Sequence, residues 1–77
     1  MYYVIKITHE DGNNNTNVIR PHEDELSATM DFHREIAETL VYPSVQVLAV
    51  VLQDDYNKQI ESFRYERPHE DPPIANP

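Results

Sequence analysis

The run from Ser44 to Gln53, Ser-Val-Gln-Val-Leu-Ala-Val-Val-Leu-Gln, constrains the fold more than any other part of the chain. Seven of its ten residues are aliphatic. A strand that is apolar on both sides of its pleat lies inside a sheet, with one body packed above it and another below. The rest of the chain must therefore supply neighbouring strands and at least one covering layer.

Upstream, Tyr2 to Thr8 alternates, with Tyr3, Ile5 and Ile7 on one side and Tyr2, Val4, Lys6 and Thr8 on the other, as a strand does. Residues 9–15 hold the chain's one glycine, Gly12, and three asparagines, residues that accept positive φ at little cost and so predict a turn. Thr16 to Arg20 returns as a short second strand, polar enough to sit at an edge. Pro21 closes it, and Glu23, Asp24 and Glu25 stand where the positive end of a helix dipole favours acids. A helix over about residues 23–41 follows, stopped by Pro43. On a helical wheel Leu26, Thr29, Met30, His33, Ile36, Ala37 and Leu40 fall in one stripe with Phe32 just outside it, which predicts that this side packs on the sheet. Asp24, Asp31, Glu35 and Glu38 occupy the opposite, wet side.

Beyond the central strand, Asp54-Asp55-Tyr56-Asn57 predicts a hairpin turn, and Lys58 to Tyr65 a returning strand. From Glu66 the prolines Pro68, Pro72, Pro73 and Pro77 and a run of charges leave only Ile74 to bury, so the expected domain is residues 1–66, with 67–77 a disordered Pro-rich tail. The fold class expected is α+β: a two-layer sandwich in which one amphipathic helix lies on one face of an antiparallel sheet of three or four strands, in the order β(β)αββ.

One helix covers one face of such a sheet. Either side of the central strand leaves at least three aliphatic residues uncovered, and an open apolar patch marks an interface. Tyr2, Val4, Val45, Val47 and Val51 are the candidate contact residues on that face or its edge. A homodimer is expected, formed by stacking two sheets or by exchanging edge strands. At 77 residues a single core is only marginally able to offset chain entropy, which favours association further.

Charge narrows the partners. Six basic and fourteen acidic residues give −8, which argues against direct binding to nucleic acid or an anionic membrane and favours a basic protein partner. The acidic helix face, Asp24, Asp31, Glu35 and Glu38, is the candidate surface for such a partner. It also supports an alternative reading, an inhibitor that imitates the phosphate spacing of nucleic acid. In size and charge the chain resembles small acidic accessory proteins of phages and mobile elements.

Catalysis and cofactors find little support. There is no cysteine, no Gly-rich phosphate loop, no nucleophile elbow and no zincin motif, and no cofactor is expected. The tripeptide His-Glu-Asp occurs at residues 9–11, 22–24 and 69–71, and three such groups meeting would suit zinc, manganese or iron. Each copy lies where acids are common, so no metal site is assigned, and a small ligand- or metal-binding domain stays a further alternative. His33, within the apolar stripe, reads as a partly buried histidine bonded to the sheet, with a pH switch as the alternative. No run is long enough to span a membrane and no signal peptide is evident, so a cytoplasmic location is expected.

Overall fold

The computed structural model describes residues 1–10 and 14–67. Strands β1 (Tyr2–Glu10), β2 (Asn14–His22), β3 (Val45–Asp54) and β4 (Gln59–Glu66) form one antiparallel sheet in the order β2-β1-β3-β4, and helix α1 (Glu25–Leu40) crosses one face of it. The architecture is the expected two-layer α+β sandwich, with the aliphatic run as an inner strand. Among the described residues, no helix is long and apolar enough to cross a membrane.

Cross-strand pairing sorts the sheet's residues onto two faces. Val4 pairs with Leu52, Lys6 with Val50 and Thr8 with Leu48, and all of these face the helix. Val4, Leu48, Val50 and Leu52 are buried to 1 % exposure or less and make the core with Val45, Ala28 and Phe32. On the other face Ile5 pairs with Val51, Ile7 with Ala49 and His9 with Val47.

Two expectations need correcting here. Val4 and Tyr2 belong to the helix-covered face, so the open face takes Tyr3, Ile5 and Ile7 from β1 instead. Val45 is also in the core, although it stands two residues before Val47. A register shift opposite His9 and Glu10 inserts Gln46 as an extra residue, and this bulge turns Val45 back to the helix side. Val47 and Val51 are placed on the open face as read.

The helix differs most from expectation. Its buried residues are Ala28, Asp31, Phe32, Glu35 and Thr39, while Leu26 is 70 % and Met30 63 % exposed. The helix is thus turned by roughly 145° from the orientation its hydrophobic stripe predicts. Ala28 lets the helix approach the sheet closely, and Phe32 with the partly buried Ile36 fills the space over β3. Asp24 is the N-cap rather than part of a wet face: its carboxylate accepts from the Ser27 backbone N–H at 2.8 Å and from the Ser27 hydroxyl at 2.9 Å.

The remaining connections follow local rules. β2 is longer than read, running through Pro21 to His22, as an edge strand can because the missing N–H faces no partner. In the β3–β4 hairpin Asp54 Oδ1 accepts from the backbone N–H groups of Tyr56 and Lys58, and Asn57 takes φ 61°, a left-handed conformation asparagine tolerates. Arg67, read as the first residue of the tail, is tied to the sheet by its N–H on the Gln46 carbonyl and its Nε on that of Val45. The rest of the expected tail, residues 68–77, lies outside the described residues.

If Phe32 rather than Met30 faces the core, Phe32→Ala will cost about 3–4 kcal/mol in urea unfolding and Met30→Ala less than about 0.5 kcal/mol. A larger loss from Met30→Ala would restore the orientation read from the stripe.

Candidate interaction surfaces and the charge network between them

What holds α1 in its unexpected orientation is a set of ions under it. Lys6 on β1 donates from Nζ to Glu35 Oε2 at 2.8 Å, and Arg20 Nη1 on β2 lies 2.7 Å from Glu35 Oε1 and 3.5 Å from Asp31 Oδ1. His22 Nε2 sits 2.8 Å from Asp31 Oδ2, and Arg34 Nη2 donates to Asp31 Oδ1 at 2.8 Å. Both carboxylates are almost fully buried, so these contacts form where water screens them least. Among the described residues, no buried side-chain nitrogen or oxygen lacks a partner.

The Asp31 carboxyl shows the balance. Desolvation pushes its pKa up, but hydrogen bonds from His22 and Arg34 and the charge of Arg20 together outweigh this and hold it below its usual 3.8. Asp24 is held low by the Ser27 backbone N–H, and Asp55 by the N-terminal ammonium 2.9 Å away.

The four acids read as one wet face therefore do not form one. Asp24 caps the helix, Asp31 and Glu35 are buried beneath it, and Glu38 alone of the four is an exposed acid with no capping role. Lys6, Arg20 and His22 were the residues the sequence reading missed. Their signal was Lys6 on one strand and the period-2 pair Arg20 and His22 on the next, facing acids spaced i, i+4 on a helix, opposite charges that could meet only between the layers.

Two apolar surfaces are left in water. The first is the sheet's uncovered face. Ile19, Ile5 and Val51 stand directly opposite one another across three strands, with Tyr3, Ile7, Ala49 and Val47 around them. Ile7 is 46 % and Ile19 63 % exposed. Among the described residues the charged groups of this face and its rim pair off, Glu66 with Arg64 at 3.6 Å, and Asp55, which hydrogen-bonds the Tyr3 side chain, with the N-terminal ammonium at 2.9 Å.

The second surface lies on the helix side. Leu26, Met30, His33, Ala37 and Leu40, spaced 4-3-4-3, form the outer ridge of α1. Beside the ridge, between α1 and β4, is a shallow groove of about 510 Å³ lined by Phe32, His33, Ile36, Ile60, Glu61 and Phe63, with Ser62 at its rim. His33 is exposed rather than partly buried, its ring edge-on to Phe32 at 5.2 Å and its Nε2 3.7 Å from Glu61 Oε2 across the groove.

His9 and His22 engage Asn15 and Asp31 respectively, and among the described residues no three His, Asp or Glu side chains converge as metal ligands. Residues 11 and 69–71, needed for two of the three His-Glu-Asp copies, lie outside the described residues. Comparison with protein-family models, with curated proteins and with solved structures found no match.

Because the folded-state pKa of Asp31 lies below its unfolded value, its contribution to stability is present above about pH 4 and is lost as pH falls through the folded value. Asp24 and Asp55 share that sign, so Asp31→Asn should make the acid limb of the stability curve shallower without abolishing it. At pH 7 the same substitution should cost about 2 kcal/mol, since it weakens charge-assisted hydrogen bonds to His22 and Arg34. Urea unfolding from pH 7 to pH 2 measures both; an unchanged acid limb would contradict the network.

Proposed function

We propose that this chain is a small protein–protein interaction module that pairs with a second copy of itself through the open face of its sheet. The observation that carries this reading is the row Ile19–Ile5–Val51, with Ile19 and the neighbouring Ile7 exposed and Ile5 and Val51 half-buried, on a nearly uncharged face of a chain with net charge −8. A contiguous apolar face of this kind marks a contact surface.

Charge favours a second copy as the occupant. Two molecules of −8 repel, and they can approach best where neither presents net charge; the Arg64–Glu66 pair leaves this face close to neutral. Size is sufficient as well. A nine-residue strand is about 30 Å long and four strands about 19 Å wide, so stacking two such faces buries about 1,200 Å², the lower edge of a specific interface. Stacking is favoured over exchange of edge strands, because Pro21 interrupts the donors of β2 at one edge. For a domain this small, the second sheet completes a core that one helix half covers.

Sedimentation equilibrium at about 10 μM tests this. The wild type should exceed the 9.0 kDa of one chain, and Ile7→Lys with Ile19→Lys should weaken association at least tenfold while leaving the helical circular dichroism unchanged. A wild-type monomer, or a double variant that associates as before, would overturn the proposal.

A further inference from the structure

The order β2-β1-β3-β4 leaves β2 and β4 as the two edges of the sheet, and they are not equivalent. Pro21 interrupts β2, whereas β4 contains no proline. The neighbouring strand fixes which way the main chain of β4 points. Arg67 donates its backbone N–H to the Gln46 carbonyl at 2.8 Å, and the pairs Leu48–Tyr65, Val50–Phe63 and Leu52–Glu61 follow from there at every second residue. In an antiparallel ladder alternate residues turn both main-chain groups toward the same neighbour, so Arg67, Tyr65, Phe63 and Glu61 bond to β3. Ser62, Arg64 and Glu66 turn theirs outward, and among the described residues no strand lies there to receive them.

We infer that this edge pairs with the same edge of a second copy, antiparallel about a two-fold axis through Arg64. In that register Arg64 stands opposite its own counterpart, and Ser62 opposite Glu66 of the other copy, twice. The three outward residues of each copy then exchange main-chain hydrogen bonds along the whole free edge. Phe63 and Tyr65 lie on the helix side, since they pair with Val50 and Leu48, and each Phe63 falls opposite Tyr65 of the other copy, an aromatic pairing favoured across strands.

Charge suits a second copy as the occupant. Residues 58–67 hold Lys58, Arg64 and Arg67 against Glu61 and Glu66, so in a chain of net charge −8 this edge is where another acidic molecule can approach closest. Arg64 and Glu66 lie 3.6 Å apart within one copy, and pairing brings each Glu66 diagonal to the other copy's Arg64, so two carboxylates flank the two guanidiniums at the axis. The helices leave room. α1 lies over β3, β1 and β2, away from this edge, which sets the two helix axes at least about 14 Å apart, wider than the about 8–10 Å of packed helices. An edge contact covers less than the about 1,000 Å² of a stable interface, so this one is of the weak class, held by main-chain bonds. It leaves the row Ile19–Ile5–Val51 open for stacking.

The chain has no cysteine, so single thiols report the register. Arg64→Cys and Ser62→Cys are each made in the Ile7→Lys, Ile19→Lys background, which removes stacking as a source of cross-links. Both positions are exposed, and unchanged circular dichroism checks folding. In the paired edge the two copies of residue 64 have Cα atoms about 5.5 Å apart, within disulfide range, whereas the two copies of residue 62 are offset by about 13 Å along the strands. Covalent dimer formation is followed at about 100 μM protein, each rate divided by that thiol's rate with a small disulfide reagent. Arg64→Cys should dimerise at least tenfold faster than Ser62→Cys.

Equal rates, a faster Ser62→Cys, or no covalent dimer from either would overturn the inference, and none of these outcomes touches the sheet-face reading. A second measurement needs no thiol. In the Ile7→Lys, Ile19→Lys variant the amide resonances of Ser62, Arg64 and Glu66 should move between about 20 μM and about 1 mM protein, and by more than those of Phe63 and Tyr65. Outward amides that stay in place over that range would overturn the inference as well.

Discussion

Two carboxylates beneath a helix decide how this molecule is arranged. Asp31 and Glu35 are out of water, and a buried charge is tolerated only where opposite charges and hydrogen bonds replace the lost hydration. Lys6, Arg20 and His22 stand on the strands at the positions that provide this, with Arg34 closing the set from the helix itself. A network of this type adds less net stability than an apolar contact of the same volume would. Its effect is on selection: turning α1 to bury its apolar stripe would put Leu26 and Met30 over Lys6 and Arg20 and strand those cations. Ion pairing thus fixes the rotation of the helix, and Ala28, Phe32 and Ile36 supply the apolar contact that this rotation permits.

The outward ridge of α1 follows from that choice, and the open sheet face from having one helix against two faces. A chain of this size with 39 % hydrophobic residues has enough apolar surface for one modest core, yet here part of it is left outside, on the ridge of α1 and on the open sheet face. Most acids lie elsewhere, and Glu66 on the open face is paired with Arg64. The exposed carboxylates keep the chain strongly negative, and the nearly neutral patches are where two such bodies can meet. Under the proposed reading, the same arrangement that holds the monomer together also determines where it associates.

Much of the fold was legible, because it rests on local signals. The double-sided apolar run read as an inner strand, the acids after Pro21 placed the helix start near Asp24, and the Asp-Asp-Tyr-Asn turn set the last hairpin. The open sheet face was legible in kind, from the count of one helix against two faces, and Val47 and Val51 lie on it. Val45 was not, because the bulge at Gln46 that reverses its side depends on pairing with β1, which no local pattern records. The helix rotation was missed for a related reason. Hydrophobic periodicity ranks arcs by apolar content, so it favoured Leu26, Met30, Ala37 and Leu40; the buried arc owes its place to cations on strands that are distant in sequence. His22 was placed outside the sheet because β2 was read as ending at Pro21, although a proline at an edge strand need not end it, and Arg20, inside the strand as read, was not matched to acids then assigned to the wet side of the helix.

The most direct test of this account is which side chains of α1 touch the sheet, read from nuclear Overhauser contacts in the isolated protein at concentrations low enough to exclude association. The account predicts contacts from the Phe32 ring and the Ala28 methyl to the methyl groups of Leu48, Val50 and Leu52. Contacts to those same methyls from Leu26 and Met30 instead would contradict it.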